Sequence, residues 1–158
     1  MPDFLSLRPI TPDDEAFLLH VYANTREEEL ASVPWSAAEK EAFLAMQFNA
    51  QHRSYQENYP QASFQLILRD DRPIGRLYVD RRPDEICIVD IALLPSYRRQ
   101  GIGSRLLKDL AAEADQAGKP LRIYVEKFNP ALRLYERLGF AQIGDTGVYY
   151  QMERPVGA

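Results

Sequence analysis

The stretch IALLPSYRRQGIGS, residues 91–104, decides the fold of this chain. It begins as an apolar strand, passes through a loop with Arg98 and Arg99, and enters a helix at Gly101 and Gly103. The two glycines remove side chains where a ligand must approach the backbone, and the free N–H groups of the first helical turn lie beside them. With two permanent positive charges and the positive end of a helix dipole, the segment is suited to bind an anion such as a diphosphate.

Two common nucleotide-binding motifs do not fit this stretch. A P-loop requires Lys and then Ser or Thr directly after its last glycine, whereas Gly103 is followed by Ser104 and Arg105. A dinucleotide fingerprint requires a third glycine where Leu106 stands, and it follows its strand directly, whereas residues 94–100 intervene here. The spacing therefore excludes both motifs.

Outward from this segment, periodicity and capping residues predict an alternation of strands and helices along the whole chain. The predicted strands cover residues 4–8, 63–69, 74–80, 85–93, 121–125, 141–146 and 148–153. The predicted helices run from 11 to about 24, from a capping box at Ser36 and Glu39 to just before Pro60, from 101 to 117, and from 130 to 138. Because antiparallel strands come first and one βαβ crossover comes late, we predict an α+β sheet and not a doubly wound one.

Length and composition predict one globular domain over residues 1–158, with 46% apolar and 27% charged residues. No run approaches the roughly 18 apolar residues of a membrane span. The start, Met1-Pro2-Asp3, lacks the basic and apolar regions of a secretory signal. We therefore expect a cytoplasmic protein with no membrane partner.

Charge and cysteine content narrow the classes of function further. A net charge of −4 lacks the basic excess of nucleic-acid-binding proteins, so we expect no nucleic-acid partner. Cys87 is the only cysteine and there are two histidines, too few for an internal disulfide or a usual zinc site. We expect no metal, and Cys87 on its apolar strand reads as a core thiol.

The pattern Arg98-x-x-Gly101-x-Gly103 resembles the acyl-coenzyme A pyrophosphate loop of the GNAT N-acetyltransferase superfamily. The preceding Ile-Ala-Leu-Leu-Pro, the long helix after the loop, and NPALRLYERLGF at residues 129–140 match that family's pattern in order and spacing. The resemblance is strong over residues 85–140. One departure is Arg99, where the family often has glycine.

The resemblance implies a fold, a coenzyme and a set of contacts. The fold would be a mixed, mostly antiparallel sheet of about seven strands flanked by four helices and splayed between the fourth and fifth strands. The cosubstrate would be acetyl-CoA, with the main-chain N–H near Leu93 stabilising the thioester oxygen, Asn129 contacting the coenzyme arm and Tyr135 lying by the sulfur. The implied coenzyme-binding residues are Ile91, Ala92, Leu93, Arg98, Arg99, Gln100, Gly101, Ile102, Gly103, Ser104, Asn129 and Tyr135.

Two of these residues also have a structural interpretation. Asn129 before Pro130 suits a helix N-cap with proline at the first helical position. Tyr135 shares a helix face with Leu132 and Leu138, which is typical of a core residue.

The family resemblance implies acetyl transfer to a primary amine by direct attack in a ternary complex. Cys87 has no evident histidine partner, which weakens an acyl-cysteine route. Tyr135 would protonate the leaving thiolate. Asp90 is the preferred base for the ammonium proton, with Glu85 or an ordered water as alternatives.

The acceptor pocket of such folds is built from the loop between the first two helices, here residues 26–35, and the last hairpin. Glu28, Trp35 and Tyr149 are the candidate substrate-binding residues, an acidic and aromatic set for a cationic amine on a small molecule, peptide or protein. An exposed helix end with ordinary strand aromatics is the alternative. Members of the family often pair, so a homodimer is one assembly that the resemblance implies.

The sequence is also compatible with two other functions. One is an acyl-CoA-binding sensor or regulatory module that transfers nothing. The other is a structural module whose helix merely begins with Gly-x-Gly and that binds no coenzyme.

Overall fold

The computed structural model describes residues 4–158, and these contain seven strands and five α-helices. The strands are β1 (Leu5–Pro9), β2 (Ser63–Arg69), β3 (Arg72–Arg81), β4 (Ile86–Leu93), β5 (Leu121–Glu126), β6 (Ala141–Asp145) and β7 (Tyr149–Arg154). The helices are α1 (Glu15–Thr25), α2 (Glu27–Ala31), α3 (Ala37–Asn58), α4 (Ile102–Ala117) and α5 (Leu132–Arg137). Every predicted strand and helix is present in the predicted order, which confirms the α+β class.

The strands pair in the order β1-β2-β3-β4-β5-β7-β6. β4 and β5 are parallel, whereas β1–β2, β5–β7 and β6–β7 are antiparallel, so the predicted mixed sheet is confirmed. The β4–β5 register ends at Ile88–Ile123, although β4 continues to Leu93 and β5 to Glu126. Pairing between these strands thus stops where the resemblance predicts a splay.

The described residues form two compact units. Residues 4–78 and 90–97 form the first, and residues 79–89 and 98–158 form the second, so β3 and β4 contribute to both. Of the helices within residues 4–158, none combines the length and the apolar character needed to cross a membrane.

In the first unit, α1 and α3 cover strand β2. Their buried core consists of Leu18, Tyr22, Phe48, Leu66 and Leu68. The predicted capping box begins α3: the Ser36 Oγ accepts a hydrogen bond from the Glu39 N–H at 3.1 Å, and the Glu39 carboxylate accepts one from the Ser36 N–H at 3.2 Å. Such a cap contributes about 1 kcal/mol to helix stability.

The segment predicted as a loop between the first two helices contains a short extra helix, so the structure has five helices where four were expected. α2 covers Glu27–Ala31, with three glutamates in its first turn and Leu30 buried. Carboxylates near a helix N-terminus interact favourably with the helix dipole, and Arg26 pairs with Glu29 at 3.1 Å. Five residues are too few to show a helical period, which is why the sequence pattern missed α2.

In the second unit, α4 packs one face inward and leaves the other in solvent. Leu106, Leu107, Leu110 and Ala114 are buried on that face, as their spacing predicts. Gly118 ends α4 in the left-handed conformation at φ +67°, a conformation that glycine adopts without steric cost.

Candidate active site

A short turn follows β4, and α4 begins at a glycine in the second unit. A short 3-10 turn covers Pro95–Tyr97, and Gly101 at φ +81° is the N-cap of α4 with no side-chain hydrogen bond to the cap. A Cβ added at Gly101 would meet no atom within 4 Å. The N–H groups of the first turn lack intrahelical acceptors, so this open backbone has the geometry of an anion site.

Two arginines precede this helix start. Arg98 and Arg99 are both exposed, and Arg99 has φ +60°, in the left-handed region. A side chain in that region costs roughly 1 kcal/mol relative to glycine. This conformation gives a physical reason why glycine is common at the Arg99 position in the family, and it shows that the loop accommodates arginine there.

The end of β4 is held against β3 within the first unit. The Leu94 N–H donates to the Ile74 carbonyl at 2.8 Å. Gly75 lies so close to β4 that a Cβ on it would be 2.2 Å from the Ala92 carbonyl oxygen and 3.1 Å from the Leu93 Cα. Residues 91–93, the predicted pantetheine-binding segment, therefore have a backbone position that depends on a glycine in β3.

Both carboxylates proposed as bases are paired with arginines. The Asp90 Oδ2 accepts hydrogen bonds from the Arg76 Nη2 at 2.8 Å and from the Tyr55 hydroxyl at 2.9 Å. In the second unit, Glu85 accepts from Arg82 at 2.9 Å and lies 3.1 Å from the Arg122 Nε. Their assignment as proton acceptors stays a prediction. A proton on either carboxylate would weaken its ion pair with arginine.

Asn129 begins a turn and does not cap α5 directly, because α5 begins two residues later than predicted, at Leu132. Its Oδ1 accepts a hydrogen bond from the Ala131 N–H at 2.8 Å, the local bond of an Asx turn. Its amide nitrogen has no hydrogen-bond partner within residues 4–158. Asn129 can therefore form its turn and still donate to a ligand.

A surface groove of about 570 Å³ includes Asn129. Phe128, one of its lining residues, is 98% exposed. The lining residues are Lys127, Phe128, Asn129, Pro130, Leu132, Arg133 and Glu136.

Tyr135 lies inside the second unit and is 5% exposed. Its ring contacts Phe140 edge to face with centroids 5.6 Å apart. Both the core interpretation and a role by the sulfur of a bound coenzyme are compatible with this burial. Cys87 is buried as well, and burial raises the pKa of its thiol to about 11, which makes it a poor nucleophile at neutral pH.

The three candidate acceptor-binding residues are all exposed. Glu28 is on α2, and Trp35, 41% exposed, makes an edge contact with Phe43 at 5.1 Å; both belong to the first unit. Tyr149, 38% exposed, begins β7 in the second unit. They remain predictions for the acceptor pocket.

Sequence reasoning missed Gly75 and Arg76. Glycine inside an apolar strand is a known sign of close backbone approach, and a charged residue in the same run is a known sign of a buried ion pair. The stretch from Ile74 to Val79 carries both signals.

The model of the Acetyltransferase (GNAT) family matches residues 20–140 of the chain. A [ribosomal protein bS18]-alanine N-acetyltransferase of Haemophilus influenzae is 31% identical over 85 residues, which cover 53% of the chain and 58% of the relative. An N-alpha-acetyltransferase of Sulfurisphaera tokodaii is 35% identical over 66 residues, 40% of each protein. The chain thus spans about half the length of the curated relatives it matches.

The fold also matches solved structures over nearly its whole length. The PaiA N-acetyltransferase of Thermoplasma acidophilum, determined in complex with coenzyme A, superposes with a TM-score of 0.72 at 18% identity. The match covers 96% of this chain and 99% of that one. At this identity the likeness shows a shared fold.

Proposed function

Because the chain belongs to the GNAT acetyltransferase family, we propose that it is a single-domain N-acetyltransferase, which moves an acetyl group from acetyl-coenzyme A to a primary amine. The observation that carries the proposal is the start of α4, where Gly101 is the N-cap, an added Cβ on it would meet no atom within 4 Å, and Arg98 and Arg99 are exposed. These residues would hold the coenzyme through its diphosphate, whose charge matches fixed donors and two guanidinium groups.

The other coenzyme contacts in this proposal come from main chain and from two side chains. Residues 91–93 would bind the pantetheine amides through their backbone, with the N–H near Leu93 donating to the thioester carbonyl as negative charge grows on that oxygen. Asn129 supports this assignment with an amide nitrogen that no described residue uses. Tyr135 would donate its hydroxyl proton to the departing thiolate.

The reaction combines two bond changes with three proton transfers. A side-chain amine, with a pKa of about 10.4, is almost fully protonated at neutral pH, so its ammonium must first lose a proton. The neutral nitrogen then attacks the carbonyl carbon and forms a C–N bond. As the C–S bond breaks, the nitrogen loses its second proton and the departing thiolate takes up a proton. Asp90, Glu85 and an ordered water are the three acceptors considered for the ammonium proton.

The acceptor in this proposal is the N-terminal α-amine of a protein or peptide. Two similar proteins carry names that support this choice: one is an N-alpha-acetyltransferase and the other a [ribosomal protein bS18]-alanine N-acetyltransferase. An α-amino group has a pKa of about 7.7–8.0, so a substantial fraction is neutral and nucleophilic at pH 7 without a strong base. Glu28, Trp35 and Tyr149 would receive the cationic form before attack.

A thermal-shift titration and a thiol-release assay test the proposal. Acetyl-coenzyme A at a hundredfold excess over its Kd should raise the free energy of unfolding by roughly 2.7 kcal/mol, whereas ATP should give no such shift. Free thiol should appear with a peptide that has an N-terminal alanine and not with the same peptide after N-acetylation. Absence of any shift with acetyl-coenzyme A would refute the proposal.

The alternative is a sensor that binds acyl-CoA without transferring its acyl group, in which buried Tyr135 would serve only as a core residue. A thermal shift with acetyl-coenzyme A, and no thiol release over a panel of peptides, polyamines and aminoglycosides, would support the sensor and contradict the enzyme.

A further inference from the structure

Arg76 is a buried cation in the first unit. Its side chain is 3% exposed, and its Nη2 donates to the Asp90 Oδ2 at 2.8 Å and to the Gln51 Oε1 at 3.0 Å. The guanidinium lies 5.2 Å from the centre of the Tyr78 ring. Within residues 4–158, Asp90 provides the one carboxylate that pairs with this cation.

Asp90 joins three elements of the first unit. Through its Oδ2 it binds Arg76 on β3 and the Tyr55 hydroxyl on α3, while its own backbone belongs to β4 directly before Ile91. Its side chain is 15% exposed. The charged and titratable groups facing Asp90 are thus Arg76 from the sheet and Tyr55 from the helix, with Tyr78 stacked against the guanidinium.

Among residues 4–158, no carboxylate besides Asp90 forms an ion pair with Arg76. Two buried polar atoms of this cluster, the Arg76 Nε and the Tyr78 hydroxyl, have no hydrogen-bond partner within the described residues. Burial raises the pKa of Tyr78 to about 12, so its hydroxyl is neutral at physiological pH. A proton placed on Asp90 would therefore leave a buried guanidinium without a counter-charge, which is among the most costly arrangements in a protein interior.

We infer that Asp90 is a positioning residue: its carboxylate neutralises buried Arg76 and fixes the start of the β4 segment 91–93, and it does not accept the ammonium proton. This inference rests on the proposed function, because it concerns the segment assigned there to the thioester. Glu85 is paired with Arg82 and Arg122, which leaves an ordered water as the proton acceptor of the three considered.

A pair of variants separates positioning from base catalysis. Asp90→Asn keeps the size of the side chain and an oxygen for the Tyr55 hydroxyl, but it leaves Arg76 unpaired. Arg76→Gln combined with Asp90→Asn removes both charges and allows an amide pair to form. If Asp90 positions β4, the double variant should recover the stability and activity that the single variant loses. If Asp90 is the base, both variants lack the base and should be equally inactive.

We expect Asp90→Asn to lower the thermal midpoint by roughly 6–15 °C, and the double variant to recover at least half of that loss. In thiol release from acetyl-coenzyme A and the N-terminal alanine peptide, the double variant should exceed the single variant by about tenfold or more in kcat/KM. Its pH profile should keep the wild-type shape. Two results would overturn the inference. In the first, Asp90→Asn has a normal thermal midpoint, its rate falls by about a hundredfold or more, and the ascending limb of its pH profile is lost. In the second, the double variant is folded and as inactive as the single variant.

The inference and the proposed function fail in different ways. If the wild-type protein binds acetyl-coenzyme A but releases no thiol, the proposed function fails and the midpoints decide the inference: recovery in the double variant supports it, and equal midpoints overturn it. If Asp90→Asn does not fold, the folded double variant tests the inference alone. A pH profile of wild-type shape supports the inference, and loss of the ascending limb overturns it.

Discussion

Replacing Gly75 with alanine should disturb the coenzyme site through the backbone alone. Its Cβ would lie 2.2 Å from the Ala92 carbonyl oxygen, about 0.8 Å inside the 3.0 Å limit of real Cβ contacts. That oxygen is backbone, as is the Leu93 Cα at 3.1 Å, so rotation of a side chain cannot relieve the contact. β4 must move where it is predicted to bind the thioester.

The cost of this movement follows from the overpacking it causes. Small-to-large changes in packed interiors cost about 1–3 kcal/mol, and we expect Gly75→Ala near the upper end because β3 is buried here. In a chain of this length, that corresponds to a fall in Tm of roughly 4–12 °C. A displacement approaching 1 Å should also reduce kcat/KM by about a hundredfold.

Gly144→Ala is the matched control, since it makes the same substitution in a strand glycine. A Cβ there would be 3.0 Å from the Gln151 Oε1, the far end of a flexible, half-buried side chain on β7. Differential scanning fluorimetry and thiol-release kinetics on both variants give the comparison. A Gly75→Ala protein whose Tm and kcat/KM equal those of Gly144→Ala would refute the reasoning.

Three further variants probe separate features. Tyr135→Phe keeps the ring packing against Phe140, so Tm should stay within a few degrees while kcat falls by about a hundredfold if the hydroxyl protonates the thiolate; an unchanged kcat would leave Tyr135 as a core residue. Gly101→Ala should lower the free energy of unfolding by about 1 kcal/mol, because its φ is +81° although no atom blocks an added Cβ. In a titration it should also weaken coenzyme binding, by more than this loss of stability accounts for. Arg8 and the Thr11 N–H hold the pKa of Asp14 at about 2, below the ordinary 3.8, so this carboxylate stabilises the fold fully above pH 4 and loses its effect as pH falls from 4 through 2. Asp14→Asn should therefore cost about 1 kcal/mol at pH 7, allowing for the 41% exposure of Arg8. In urea denaturation the difference from wild type should shrink below pH 4 and vanish only below pH 2; a constant difference from pH 7 to below pH 2 would contradict this.

Local signals in the sequence were enough for most of the fold. The capping box at Ser36 and Glu39 marks where α3 begins, and Gly118 marks where α4 ends, because each effect operates within a few residues. The left-handed conformation of Gly101, at φ +81°, is local as well, and it occurs within the segment that the sequence predicts to bind an anion. α2 was not predicted, because its five residues are too few to show a helical period and its Leu30 is buried by tertiary packing.

The contacts that fix the predicted site depend instead on strand pairing. Gly75 approaches Ala92 and Tyr55 binds Asp90 only after β3, β4 and α3 have assembled, so neither contact produces a periodic pattern in the sequence. A motif read from sequence identifies residues that would meet the coenzyme, whereas the residues that hold them in place are spread over distant segments. Asp90 shows the difference: its position beside Ile91 suggested a base, and its ion pair with a buried arginine supports a positioning role.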